Sequence, residues 1–352
     1  MAGERRKKKR KVREKDWDYR HEDAFTHDLK RHRRTDTAIS DAAPTPDIPE
    51  DFEPNGLVIS HSKKWAFVQW EGREDLCRIS EHLLERRATI LAPGDRVLVE
   101  ALGGEPWVRA VAPRTSKLSR PGGEHARVLE QIFAANIDVL VVVAAAAKPA
   151  FKPGLVDRYL IAAEVGGVTP ILCINKMDLV ESEAPELAAY RELGIHVITT
   201  SCETGDGLAE LRQALRGKLS VFAGHSGVGK SSLLNSLQPE LDLATREVSE
   251  ATQRGRHATS AARLYELDDG LRIIDTPGIR QLGLWGVSPE EVAFYFPEIA
   301  QRASTCKFRD CTHTHEPDCA VQKAVDAGLI PRLRFESYLR IREGLEEFAP
   351  RR

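Results

Sequence analysis

Three short runs in this 352-residue chain carry residue types that handle a nucleotide at fixed spacing. Gly224-His225-Ser226-Gly227-Val228-Gly229-Lys230-Ser231 fits G-x(4)-G-K-S, between an apolar run at Leu219–Ala223 and a helical run at Ser232–Leu237. In that setting the glycines let backbone N–H groups close around phosphates, and the helix N-terminus adds a favourable dipole. Lys230 reaches the β- and γ-phosphates, and the Ser231 hydroxyl binds Mg²⁺. Asp275-Thr276-Pro277-Gly278 ends a second apolar run, Leu271–Ile274. There Asp275 can hold Mg²⁺ through water, and the Gly278 amide can meet the γ-phosphate. Asn175-Lys176-Met177-Asp178 ends a third, Pro170–Ile174. Asp178 can accept from guanine N1–H and the N2 amino group together, and a wrong base would leave its charge unpaired. Asn175 braces the loop, and Lys176 lays its stem along the base. Together the runs specify guanosine triphosphate.

A fourth constellation suits a metal. Cys306, Cys311, His313 and Cys319 give Cys-x(4)-Cys-x-His-x(5)-Cys. Three thiolates and one imidazole make a closed tetrahedral site whose usual occupant is Zn²⁺, with a structural role. His315 is an alternative fourth ligand. Cys77, Cys173 and Cys202 are scattered and read as small apolar fillers.

These residues must be held by surrounding elements. Leu57–Ser60, Trp65–Trp70, Arg96–Leu102 and Trp107–Ala112 read as strands separated by turn signals, which predicts a small antiparallel barrel over residues 51–113. An OB-fold is one such barrel, and an SH3-like barrel reads the same way. Trp65 and Phe67 share one face of their strand and Trp70 the other, so some are core and none is assigned to a ligand. The polar, turn-rich segment within 114–126 reads as a linker. Beyond it, apolar β-branched runs at Ile137–Val143, Pro170–Ile174, His196–Thr199, Leu219–Ala223 and Leu271–Ile274 alternate with helical stretches, as in a parallel sheet covered on both faces over 127–287. Residues 288–352 read as mainly helical around the cysteine cluster.

Length predicts two to three domains, and 41% hydrophobic with 30% charged residues suits a soluble chain with a real core. The longest uncharged apolar run, Val139–Ala147, is far short of the ~20 residues that span a bilayer, so no membrane association is expected. No apolar core follows the basic N-terminus, which argues against an ordinary secretory signal, and the cysteine usage suits the reducing cytoplasm. Residues 1–15 hold a local balance of +7, so the net charge of −2 leaves −9 on the remainder. Residues 1–50 read as a disordered basic arm suited to a polyanion.

The three nucleotide motifs resemble the G motifs of translation-factor-class GTPases, with their order changed. Asn175–Asp178 precedes Gly224–Ser231, and Asp275–Gly278 comes last, as in the circularly permuted GTPases. Ser201-Cys202-Glu203 looks like the short loop that supports guanine through backbone amides. The barrel and the cysteine/histidine cluster narrow the resemblance to the RsgA (YjeQ) family of small-ribosomal-subunit biogenesis GTPases, over roughly residues 52–345.

That resemblance implies a multidomain protein: an N-terminal OB-fold barrel, a central circularly permuted P-loop α/β GTPase domain and a C-terminal, mostly helical zinc-binding domain. It implies a monomeric cytoplasmic GTP hydrolase that binds the small (30S) subunit and its 16S rRNA, is stimulated there, and leaves as GDP forms. Ile279 follows the D-x-x-G motif, where many GTPases place a water-orienting Gln, and it can neither donate nor accept. The family pattern points instead to Arg254–Thr259, with His257 positioning water and Thr259 as the switch threonine on Mg²⁺ and the γ-phosphate. Family members usually show consecutive threonines after that His, a run that Ala258 interrupts. A nucleotide-gated rRNA-binding module with negligible intrinsic hydrolysis is the alternative that Ile279 supports. Asn175–Asp178 disfavours a P-loop kinase.

Overall fold

The structure is a computed structural model that describes residues 52–84, 89–122, 129–238, 262–276 and 283–346. The basic arm, His257, Thr259, Gly278 and Ile279 lie outside the described residues.

Alternation of side chains builds the first unit. Strand β2, Trp65–Trp70, buries Ala66, Val68 and Trp70 and turns Trp65 and Phe67 outward, each 40% exposed. It pairs antiparallel with β1, Gly56–His61, and with β3, Arg73–Ile79. After the short helix α1, Glu81–Leu84, β4 (Arg96–Leu102) and β5 (Glu105–Val111) complete a closed barrel of order β1-β2-β3-β5-β4. β3 and β5 run parallel where they meet, the OB-fold arrangement. Val58, Val68, Val97, Val99 and Val108 fill the interior, each contributing about 1.5–3 kcal/mol by leaving water.

Residues 117–122, read from sequence as part of a linker, form a strand instead. β6, Lys117–Gly122, pairs antiparallel with β7, Leu129–Ala135. The exit from the barrel is fixed rather than loose. Arg114 forks onto the fully buried Asp95 at 2.7 and 2.8 Å, and Asn136 Nδ2 donates to the Gly94 carbonyl at 2.8 Å. Turn-forming residue types concealed this because the ties that order them come from distant residues.

The nucleotide motifs sit on a six-stranded sheet. β8 (Val139–Ala145) lies between β9 (Thr169–Asn175) and β11 (Leu219–Gly224). β10 (His196–Thr199) edges β9, and β13 (Arg272–Asp275) and then β12 (Arg263–Glu266) follow β11. All neighbours are parallel except the β12–β13 pair. β8 is buried on both faces, with Leu140, Val142 and Ala144 packing into one layer and Val139, Val141, Val143 and Ala145 into the other. Helix α2, Pro153–Gly166, starts on a proline and stops at left-handed Gly167, whose N–H bonds back to Ala163 and Glu164. Helices α3 (Leu187–Glu192), α4 (Leu208–Leu215) and α5 (Lys230–Leu237) cover the remaining connections.

Helices α6 (Pro297–Ala303), α7 (Ala320–Asp326) and α8 (Arg332–Glu346) form the C-terminal region. It shares its core with the sheet, because Phe296, Ile299, Val321, Tyr338 and Ile341 join the layer that holds Leu140 and Tyr159. Arg334 on α8, 2% exposed, pairs with Asp157 on α2 and with Glu298 on α6.

Candidate nucleotide site and metal centre

The phosphate loop leaves the end of β11 and enters α5. A side chain on Gly224 would strike the Val143 carbonyl, its Cβ only 2.2 Å from that oxygen. Val228 sends its side chain into the core, 2% exposed, so only its backbone faces the loop interior. Lys230 Nζ donates to the carbonyls of Gly224 at 2.8 Å and His225 at 2.9 Å, across the hollow of the loop. His225 Nδ1 lies 2.8 Å from the Ser226 carbonyl. Gly227 is exposed, and Ser231 and Ser232 are half-buried in the first turn of α5.

The N-K-x-D run is brought against this loop from the end of β9. Asn175, 2% exposed, donates from Nδ2 to the Val228 carbonyl at 3.0 Å. Gly229 stands so close that a Cβ there would lie 2.3 Å from Asn175 Nδ2, and its φ of +94° already favours glycine. Lys176, itself left-handed at φ 66°, donates from Nζ to the Gly227 and Lys148 carbonyls at 2.6 Å each. Asp178 is exposed and accepts from the Ser201 hydroxyl at 2.6 Å through one oxygen. Ser201 is held in turn, its N–H donating to the Asp206 carbonyl and its hydroxyl accepting from the Thr204 N–H. Cys202 donates its thiol to Asn175 Oδ1 at 3.6 Å.

Thr200 escaped notice in the sequence. Its hydroxyl donates to Asn175 Oδ1 at 3.2 Å, and its carbonyl accepts from the Met177 N–H. The only available signal was its place beside Ser201-Cys202, and a threonine ending a strand is too common to single out.

Asp275 closes the site at the end of β13. Burial pushes its carboxyl up, while the Thr276 backbone and the Lys230 ammonium pull the other way. A half-buried carboxylate beside the Lys230 ammonium, at the first turn of α5, is a donor set that suits a hard divalent ion such as Mg²⁺.

The metal residues converge between α6 and α7. The ligand atoms of Cys306, Cys311, His313 and Cys319 all lie within 4.8 Å of one another. Cys306 and Cys311 Sγ stand 3.9 and 3.8 Å from Cys319 Sγ, and His313 Nδ1 stands 3.4 and 3.6 Å from Cys319 and Cys306. A tetrahedron with Zn–S of about 2.3 Å and Zn–N of about 2.05 Å has edges of about 3.8 and 3.6 Å, so the donor set fits zinc. Burial holds the His313 imidazole below its usual pKa, in the neutral form that ligates. His315 is exposed, its Nδ1 occupied by the Thr314 hydroxyl, and it stands outside the four. Glu316 braces the loop by accepting from Thr312 N and Oγ1 and from Thr314 N.

The family model described as RsgA GTPase matches residues 111–285. The small ribosomal subunit biogenesis GTPase RsgA of Gemmatimonas aurantiaca is 46% identical over 262 residues, covering 72% of this chain and 84% of that protein. The chain belongs to the RsgA GTPase family. RsgA 1 of Vibrio vulnificus is 42% identical over 306 residues, 83% of this chain and 84% of its own length. Among solved structures, YjeQ from Thermotoga maritima superposes with a TM-score of 0.65 at 31% identity, over 85% of this chain and 99% of that one. YloQ, described as a circularly permuted GTPase, gives 0.62 at 30% identity over 86% and 98%. The RsgA likeness thus spans the barrel, the permuted nucleotide domain and the metal region.

Proposed function

We propose that this chain is a GTPase of small ribosomal subunit biogenesis. It binds the 30S subunit through 16S rRNA, hydrolyses GTP to GDP and phosphate there, assists late maturation, and dissociates after hydrolysis. The observation that carries the reading is the Asn175–Val228 hydrogen bond, because it joins the base loop to the phosphate loop although the chain makes them in reversed order. Family membership supports the activity and the ribosomal role.

In this reading the Asp178 carboxylate, steadied by Ser201, accepts from guanine N1–H and the N2 amino group together. Lys176 lines the base, Ser201 serves it by steadying Asp178 through its hydroxyl, and Cys202 offers its backbone amide. The Gly224–Ser232 backbone wraps the phosphates, and the Lys230 ammonium exchanges its loop carbonyls for β- and γ-oxygens. Ser231, Asp275 and Thr259 would hold magnesium, which when bound neutralises charge on the transferring phosphoryl group. The Gly278 amide meets the γ-phosphate, and His257 orients the attacking water by accepting its proton or holding it in line. Zinc on Cys306, Cys311, His313 and Cys319 has a structural role, folding a loop poor in apolar residues.

Two features support RNA contact. Trp65, Arg78 and Trp107 are successive cross-strand neighbours on the barrel's outer wall, with the guanidinium 5.4 and 4.6 Å from the two ring centroids. Lys63 and Lys64 precede Trp65 in an exposed turn. Aromatic faces beside cations suit unpaired bases and their phosphates, as does the basic arm. No helix among the described residues is long and apolar enough to cross a membrane, and the proposed site of action is the cytoplasm, as a monomer.

The test is GTP turnover with small subunits, large subunits and neither. Stimulation by small subunits alone is expected, and it should weaken as salt rises. Equal turnover in all three would overturn the ribosomal role. Ile279 favours a second reading, a nucleotide-gated rRNA-binding module with negligible intrinsic hydrolysis. GTP-dependent subunit binding without turnover would select it.

A further inference from the structure

Strands β12 and β13 put an arginine directly across from the carboxylate on the magnesium side of the site. Their register is Arg263↔Asp275, Leu264↔Ile274, Tyr265↔Ile273 and Glu266↔Arg272. Directly opposed residues of an antiparallel pair share a face, with Cβ atoms about 4.5–5.5 Å apart. An arginine and an aspartate so placed would ordinarily join by charge-assisted hydrogen bonds.

The guanidinium goes elsewhere. Arg263 Nη2 donates to both carboxylate oxygens of Glu74, at 2.8 and 3.1 Å, and the guanidinium lies 5.8 Å from the Phe67 ring centroid. Both partners belong to the barrel. Glu74 is itself cross-strand from Gln69, whose Nε2 donates to Glu266 Oε2 at 3.1 Å, so one patch of barrel wall holds both ends of β12. Asp275 keeps Lys230 as its neighbouring cation.

We propose that Glu74 is a positioning residue of the GTPase site: by holding Arg263 on the barrel, it keeps the guanidinium off Asp275 and leaves that carboxylate free for magnesium. The proposal rests on the reading of Asp275 as a magnesium-side carboxylate. The Glu74–Arg263 pair is more than a third exposed on both sides, so it contributes little to stability. Its effect lies in the choice of partner. Without Glu74 the nearest carboxylate for Arg263 across the strand pair is Asp275, and an internal cation then competes with magnesium.

A plain interdomain strut would use the same contact, and the two roles separate in a double mutant. The experiment titrates magnesium against binding of a fluorescent GTP analogue to the purified full-length chain, with melting temperature measured alongside. Glu74→Gln should raise the magnesium midpoint about three- to ten-fold. Arg263→Gln alone should leave it near the starting value, and Glu74→Gln with Arg263→Gln should restore it, because the competing cation is gone. An unshifted Glu74→Gln midpoint, or a double mutant as impaired as Glu74→Gln, overturns the proposal. Asp275→Asn is the control for the underlying reading. If it leaves the midpoint unchanged, that reading fails, whereas a shift in Asp275→Asn without one in Glu74→Gln refutes the Glu74 role alone.

Discussion

The Asn175 side-chain amide donates to the Val228 carbonyl over 3.0 Å, tying together two loops 53 residues apart in the chain. Its orientation is fixed from the other side, where Oδ1 accepts from Thr200 Oγ1 and Cys202 Sγ. A flipped amide would set donor against donor and acceptor against acceptor. The proposed base and phosphate loops therefore share one buried hinge-pin.

Removing it should loosen both halves together. Asn175→Ala takes the amide donor from the Val228 carbonyl, at about 1–3 kcal/mol, and leaves the Thr200 hydroxyl only its contact with the Cys173 thiol at 3.4 Å. GTP affinity should fall at least about ten-fold, with a lower urea midpoint for the free protein. Isothermal titration with GTP and a urea melt check both, and an unchanged pair of values would refute the coupling.

Asp178→Ala should act differently, since Asp178 is exposed and bonds only Ser201 among the contacts described above. Stability should stay within about 0.5 kcal/mol. Preference for GTP over ATP should collapse by at least about ten-fold, because the guanine donors lose their acceptor. Competition between the two nucleotides for a fluorescent analogue measures it.

Much of this site was legible in the sequence because each loop follows an apolar strand and carries its own chemistry. The edges of Trp65–Trp70, Arg96–Leu102 and His196–Thr199 were also set by local alternation and turn residues. What local pattern could not give were strands whose partners are remote. Lys117–Gly122 carries Pro and Gly and reads as a loop until Leu129–Ala135 pairs with it. Arg263–Glu266 is four residues long and is ordered by β13 and the barrel wall. Thr200 was invisible for the same reason, since its role exists only where Asn175 comes to it.

Zinc should be present at one per chain and should protect three thiols. Burial pushes Cys77 up to about 11 and Cys173 up to about 12, so at pH 8 both stay protonated and resist alkylation. Chelation should release Cys306, Cys311 and Cys319 to iodoacetamide and lower the melting temperature by several degrees. Peptide mass spectrometry reads which thiols react. Labelling of these three without chelation would count against a zinc site.

Arg334 predicts a cost at the junction of α2, α6 and α8. It is buried between Asp157 and Glu298 and lies 4.5 Å from the Phe296 ring centroid. Asp157→Ala leaves the buried guanidinium with Glu298 as its remaining carboxylate partner and should cost about 1.5–3 kcal/mol for the lost charge-assisted bond. Replacing an exposed partner, as in Asp326→Ala beside Arg332, should cost under about 1 kcal/mol. Denaturant melts of the two variants make the comparison.

His257→Ala should spare GTP binding while suppressing the turnover stimulated by small subunits, by about 10²–10⁴-fold if the imidazole handles the water's proton. Single-turnover hydrolysis with and without subunits is the measurement. Full stimulation in the variant would remove His257 from the mechanism.

The sheet order β10-β9-β8-β11-β13-β12 has a consequence for how the protein is born. Translation delivers the half that carries Asn175–Asp178 first, as three parallel strands whose Val139–Ala145 edge stays bare until Leu219–Gly224 emerges to pair with it. Such an edge is a template for the wrong partner. Nascent chains halted near residue 216 should therefore aggregate or recruit chaperones, and those extended past residue 276 should not.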